Sequence, residues 1–171
     1  ADQVIVLPNN RNIVMAAERV TELMSDKEIY VVPTRTLGAG LAAAVLFQEN
    51  REARDQIDEM EAAASLSLTI EITVASRDAE VEGISVKEGQ AIGLVNGELR
   101  YSEDETKDCL LGLLRQIDLA EFEIGTLFFS AGSGLEVAQE LLEKIEKDFP
   151  ELEMQLLSGA PDLYPYLLVL E

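Results

Sequence analysis

Three amides and an arginine follow one another in Asn9-Asn10-Arg11-Asn12, directly after a short apolar run and Pro8. Free backbone N–H groups and the dipole at a helix start suit an anion or a polar ligand there. The same residue types also turn the chain and cap helices, with Asn10 placed as an N-cap, so both readings stand. A second cluster, Pro33-Thr34-Arg35-Thr36, sets two hydroxyls and a guanidinium before another helix, and capping again competes with binding. Arg11, Arg35 and Arg77 all fall at expected strand ends in a chain with only 13 Lys and Arg. Together they would make a small positive mouth suited to a carboxylate, a phosphate or an acidic partner. Near the end, Gly159-Ala160-Pro161-Asp162-Leu163-Tyr164-Pro165-Tyr166 combines prolines and tyrosines in a rigid turn. Such a turn presents aromatic rings with polar tips, good contact material, and it equally serves to feed a final strand.

Other chemistry is excluded by composition. The chain has no histidine. That removes Ser-His-Asp and Cys-His nucleophiles, His-ligated zinc and imidazole acid–base work. Any metal would rest mainly on carboxylates, and no Asp-x-Asp calcium loop is present. Ser130-Ala131-Gly132-Ser133-Gly134 resembles a phosphate loop only in its glycines and lacks the Gly-Lys-Ser/Thr ending, so it reads as a strand–helix turn. Cys109 is the only cysteine, which precludes an intramolecular disulfide and fits a reducing compartment. It reads as a packing residue, with a reactive thiol as the alternative.

The elements that must position these residues follow from hydrophobic periodicity. Val4-Ile5-Val6-Leu7 has the form of a buried parallel strand. Ile13, Ala17, Val20 and Met24 then recur at helical spacing. The unit repeats with Ile29-Tyr30-Val31-Val32, a helix of small residues from Leu41 to Phe47, and a helix from about Asn50 carrying Ile57, Met60 and Ala64. Leu68 to Val74 alternates apolar and polar residues, which predicts a half-exposed antiparallel strand. Val81-Glu82-Gly83-Ile84, Val86 to Gly89 and Ala91 to Val95 continue as short strands, and Asn96-Gly97 signals a hairpin. Ser102-Glu103-Asp104-Glu105 has the pattern of a capping box for a helix carrying Leu110, Leu111, Leu114 and Ile117. A strand at 125–129, a helix carrying Leu135 to Phe149, and strands at 153–157 and 167–170 complete the chain. The expected fold is α/β: a mostly parallel sheet with helices on both faces, plus a small antiparallel β-meander inserted at about 66–101.

The chain has 171 residues, 47% of them hydrophobic, so it can form a sizeable core and is not disordered. No apolar run approaches the ~20 residues that span a bilayer. A net charge of −20 disfavours nucleic acid and anionic lipid. Residues 1–60 hold six Lys and Arg against ten Asp and Glu, whereas residues 61–171 hold seven against 23, so the cations are relatively concentrated early. The chain opens Ala1-Asp2-Gln3 without a secretory pattern, which reads as a start at an internal domain boundary of a cytoplasmic protein.

Taken in order, the motifs resemble a family. Val4-Ile5-Val6-Leu7-Pro8-Asn9-Asn10-x-Asn12-Ile13 with Ala16-Ala17-Glu18 resembles the opening of the FakA C-terminal domain. FakA is the kinase component of bacterial fatty acid kinase, also described as dihydroxyacetone-kinase-like. Val31-Val32-Pro33-Thr34-x-Thr36 with Gly40-Leu41-Ala42-Ala43, Val74-Ala75-Ser76-Arg77-Asp78 with Gly83, Gly89 and Gly93, and Leu163-Tyr164-Pro165-Tyr166 resemble its later signatures. The resemblance spans the chain. It implies a single DegV-like domain over 1–171, last in a longer protein whose N-terminal domain binds ATP and Mg and phosphorylates a fatty acid carboxylate. It implies no cofactor and no catalysis in this domain, and docking of a DegV-like fatty-acid-binding partner. Contacts with other domains of the parent chain and a homodimer are further expectations. The residues carried over as a partner or ligand surface are Asn9, Asn10, Arg11, Asn12, Pro33, Thr34, Arg35, Thr36, Arg77 and Tyr164. The alternative is a small-molecule or fatty-acid-binding domain in its own right, which needs an apolar cavity of about 300 Å³ or more. The dihydroxyacetone branch binds its ketone covalently on a histidine, which this chain lacks.

Overall fold

A computed structural model describes residues 2–81 and 83–171, so Glu82, placed above in a short strand, and Ala1 of the opening tripeptide lie outside the described residues. The chain divides into two compact units, Ala1–Leu68 and Thr69–Glu171.

In the first unit, strands β1 (Gln3–Val6) and β2 (Glu28–Val31) pair in parallel, with Val4 opposite Ile29 and Val6 opposite Val31. Helix α1 (Arg11–Leu23) connects them, and α2 (Leu37–Val45), a 3-10 turn at Ala53–Asp55 and α3 (Ile57–Leu66) follow. The apolar run, Pro8 and the Asn10 cap therefore act as their types predict. The core is small: Val32, Ala43 and Met60 are buried, and Ile5, Leu7, Ile57 and Ala64 pack against them. The third helix starts later than expected because Gln56, 1% exposed, fastens the preceding loop. Its amide nitrogen donates to the carbonyls of Gln48, Arg51 and Glu52, and its oxygen accepts from Gln48 N at 2.7 Å. Buried amides hold this segment out of the helix.

The second unit is built on a six-stranded sheet in the order β7-β6-β3-β10-β8-β9. Its strands are β3 (Leu68–Val74), β6 (Ala91–Val95), β7 (Glu98–Glu103), β8 (Ile124–Phe129), β9 (Glu153–Ser158) and β10 (Tyr166–Leu170); β4 (Ala79–Val81) and β5 (Ile84–Val86) form a separate antiparallel hairpin. The mostly parallel sheet expected from the sequence is corrected here. The pairs β3–β6, β6–β7 and β10–β8 are antiparallel, and β8–β9 is parallel. The β-meander is likewise not an insertion: β3, β6 and β7 are half of the main sheet. The difference has a physical source. A continuous apolar strand signals burial on both faces, which a central strand of a covered antiparallel sheet shares with a parallel one.

Two local readings also fail. Strand β3 is not half-exposed, since Thr69, Ile70, Glu71 and Ile72 are all buried. Nor does a capping box open α4 (Thr106–Leu114): Ser102 and Glu103 belong to β7, the cap residue is Glu105, and no side chain caps the helix. The Ser102 hydroxyl donates instead to Ser85 O at 3.5 Å. Helix α4 lies against β6 and β7, and α5 (Leu135–Asp148) against β8 and β9. At Gly93 an added methyl would press on Leu113 Cδ2 at 2.9 Å and Ile72 Cδ1 at 3.3 Å, so Ile72 and α4 share one face of the sheet. Strand alternation places Glu71 and Thr73 on the other.

All five residues of β10 are buried, and Leu168 has no exposed surface. Truncating it leaves a cavity in the middle of the sheet. Leu168→Ala is expected to lower the unfolding free energy by about 3 kcal/mol, measured by urea denaturation.

Candidate functional site

Parallel pairing of β1 and β2 brings their two exits together, so residues 8–12 and 33–36 form one corner of the first unit. The joint is made by two residues. Asn9 N donates to Thr34 Oγ1 at 3.0 Å, and the Thr34 hydroxyl donates back to Asn9 Oδ1 at 2.8 Å. Asn9 holds φ at 54°, a left-handed conformation that asparagine tolerates better than most residues. Its carboxamide lies over Gly40 of α2, where an added methyl would overlap it. Thr34 is 1% exposed, so its hydroxyl is committed to this joint.

The remaining residues of the corner divide by role. Asn10 Oδ1 accepts from Asn12 N at 2.8 Å and caps α1. Thr36, buried, accepts from Ala39 N at 3.2 Å and caps α2. The capping readings of Asn10 and Thr36 therefore hold. Arg11, Asn12, Pro33 and Arg35 are exposed. What the corner presents outward is thus two guanidiniums, an amide and a proline ring on a frame fixed by Asn9, Thr34 and Thr36.

Beside this corner, α1 has no buried residue although its apolar positions are well segregated. Along the predicted stripe, Ile13 is 50%, Val20 42% and Met24 39% exposed. The first unit also holds a cleft of about 550 Å³ whose apolar lining is Ile5, Leu7, Ala44, Phe47, Ala53 and Met60. Its polar lining residues are Gln3, Glu49 and Arg51. Gln3 is bonded to Glu28, Glu52 and Ala53, and Arg51 to Glu59 and Asp55.

In the second unit the exits of β8 and β9 also meet. Gly159 N and Ala160 N both donate to Phe129 O, at 3.1 and 3.2 Å. The loop at 130–134 directs its hydroxyls inward: Ser130 and Ser133 Oγ are 3.1 Å apart, and Ser133 donates to Pro165 O at 2.9 Å. That is a turn rather than a phosphate cradle. Arg77 is exposed in the bend after β3. Tyr164 is half-buried, and its phenol hydrogen-bonds the buried carboxyl of Glu71. Burial, then the neighbouring Glu71 charge, raises the Tyr164 pKa, and burial raises that of Glu71.

Glu71 is the site residue that sequence reasoning misses. Alternation along Leu68 to Val74 assigns it to solvent; its one available signal is a lone acid among β-branched neighbours. Cys109 resolves in favour of packing. It is fully buried, and burial with the nearby Glu103 charge pushes its thiol up to about 12, far from a reactive thiolate. No group of three or more Cys, Asp or Glu among the described residues could hold a metal ion.

A family profile described as the C-terminal domain of FakA-like fatty acid kinase proteins matches residues 1–171. The chain belongs to this family. Protein YloV of Bacillus subtilis is 28% identical over 171 residues, covering 100% of this chain and 31% of that protein. An uncharacterized protein of Staphylococcus haemolyticus is 27% identical over 167 residues, 98% of this chain and 30% of its own length. The chain thus spans under a third of these relatives. In fold it is similar to a fatty-acid-binding protein of Thermotoga maritima (TM-score 0.66, 16% identity, 99% of this chain and 69% of that one). It is also similar to the Streptococcus pneumoniae fatty acid kinase B3 protein loaded with linoleic acid (TM-score 0.63, 13% identity, 100% and 72% covered). This FakA-like C-terminal domain therefore has a DegV-like fold. Among the described residues, no helix is long and apolar enough to cross a membrane.

The Asn9–Thr34 joint depends on Gly40 leaving room for the carboxamide. Gly40→Ala is expected to destabilise the first unit by about 1–3 kcal/mol. The same substitution in an Asn9→Gly background, where the left-handed backbone is retained without the carboxamide, should cost much less. Urea denaturation of the four proteins in the cycle measures the coupling.

Proposed function

We propose that this chain is a non-catalytic docking domain of a fatty acid kinase-like protein, receiving a DegV-like fatty-acid-binding partner. In this reading a separate N-terminal domain, binding ATP and Mg, phosphorylates the fatty acid carboxylate. The observation that carries it is α1: an amphipathic helix whose apolar stripe of Ile13, Val20 and Met24 is open beside the exposed Arg11 and Arg35. Apolar area of this kind, bordered by guanidiniums, has the composition of a protein contact surface. Nothing in the same corner supplies a nucleophile with a base, since its hydroxyls are buried and committed to the frame. Arg77 and Tyr164 belong to the contact set of the second unit. Other domains of the parent chain, or a second copy, are lesser candidates for the same surfaces, and a cytoplasmic setting fits the reading.

A second reading, an apolar-ligand domain in its own right, is favoured by the cleft of about 550 Å³ in the first unit, which exceeds the size such a ligand needs. Its polar lining argues against a fatty carboxylate, because Arg51 and Gln3 already have partners and Glu49 would repel the head group.

Calorimetric titration separates the two. The chain should bind a DegV-family protein loaded with fatty acid, and Val20→Asp should weaken binding at least about tenfold, ~1.4 kcal/mol, while leaving the fold intact by circular dichroism. Heat from a free fatty acid with none from the loaded partner would reverse the ranking. No heat with the loaded partner at micromolar concentrations would sink the docking reading.

A further inference from the structure

Glu71 sits in the middle of β3 and is 8% exposed. A carboxyl in a sheet interior is unfavourable unless a polar partner offsets its lost hydration. That partner is the Tyr164 phenol, far along the chain. The turn that carries Tyr164 is already fastened through its backbone. Thr73 Oγ1 donates to Leu163 O at 2.7 Å, and Ser133 Oγ and Ser130 N donate to Pro165 O at 2.9 and 3.1 Å. Tyr164 N closes the turn onto Pro161 O at 2.8 Å. These bonds fix the path of the chain but leave the aromatic ring free to rotate about its own side-chain bonds. The bond to Glu71 is the one that acts on the ring's polar tip. The neighbouring Leu163 is 64% exposed, so the turn presents an apolar side chain and a half-buried ring side by side.

We propose that Glu71 is a positioning residue for partner docking: it holds the Tyr164 ring in the one orientation in which the turn at 161–165 meets a DegV-like partner. The inference rests on the docking reading. An apolar residue at position 71 would pack in β3 without needing a partner. A buried acid is retained where it fixes something that an apolar side chain cannot, and here that is the phenol. Aromatic side chains with a fixed polar tip contribute to interfaces because little rotamer freedom remains to be lost on binding.

The test uses Glu71→Leu, Glu71→Gln, Tyr164→Phe and the double variant Glu71→Leu with Tyr164→Phe. Calorimetry is run with a DegV-family protein loaded with fatty acid, and 13C relaxation of the Tyr164 ring with the free domain. Glu71→Leu and Tyr164→Phe should each weaken binding about tenfold, and the double variant should be no weaker than either, because all three remove one hydrogen bond to a charged group. Glu71→Gln keeps an acceptor and should bind within about twofold of the unsubstituted domain. Ring order should fall in Glu71→Leu and persist in Glu71→Gln. Additive losses in the double variant, or unchanged ring order in Glu71→Leu, would overturn the positioning role while docking stands. No binding by the unsubstituted domain would remove the docking reading and this inference with it. If Glu71→Leu does not fold, Glu71→Gln against Tyr164→Phe carries the comparison: equal weakening in both would also overturn the proposal.

Discussion

Burial of the last strand is the constraint on which the second unit depends. Tyr166–Leu170 is buried at every position and lies between β3 and β8 in the sheet order. A strand in that place cannot form until both neighbours are present, so residues far apart in sequence must be assembled around it. Its entry turn is then delivered to two places at once. Pro165 O meets Ser130 and Ser133 beyond β8, and Leu163 O meets Thr73 on β3. The contact between Tyr164 and Glu71 follows from that geometry. A hydrophobic requirement at the end of the chain thus sets a polar arrangement at the surface.

The first unit solves a different problem. Two strands and three helices leave a core of few side chains, and much apolar surface stays open. Polar interactions take over part of the work of fixing the fold. The reciprocal bonds between Asn9 and Thr34 join the two strand exits, and the four bonds of the Gln56 amide fasten the loop before α3. Buried and satisfied groups of this kind specify geometry even where they add modest stability. The guanidiniums of Arg11 and Arg35 are therefore carried on a rigid frame while the apolar stripe of α1 beside them remains uncovered. A frame with an uncovered apolar helix is what a recognition surface requires and what a catalytic site does not.

Local signals in the sequence carry well. Val4 to Leu7, the Asn10 cap and the stripe of Ile13, Ala17 and Val20 place β1 and α1 close to their observed bounds, because turn chemistry and helical period are properties of neighbours in the chain. The parallel pairing of β1 with β2 is legible from the strand–helix–strand order that these signals define. What fails is non-local. The run Leu167 to Leu170 reads as buried without revealing which strands bury it, so antiparallel pairing with β8 passes for a parallel sheet. Glu71 reads as solvated because alternation is blind to what covers the second face of a sheet. Ser102-Glu103 has the letters of a capping box, yet the hairpin at Asn96-Gly97 continues β7 through it. The candidate site divides the same way: the corner of Asn9, Asn10, Thr34 and Thr36 is visible as motifs, and the partner of Tyr164 is not.

The central claim is that this domain meets a partner through the strand exits and the Tyr164 turn. At 18.8 kDa it is small enough for a backbone amide shift map recorded during titration with a fatty-acid-loaded DegV-family protein. The account predicts that the largest shifts fall on Arg11, Asn12, Val20 and Arg35 in the first unit and on Arg77, Leu163 and Tyr164 in the second. Shifts concentrated instead on the outer face of α5, around Glu143 and Lys147, with these residues unmoved, would contradict it.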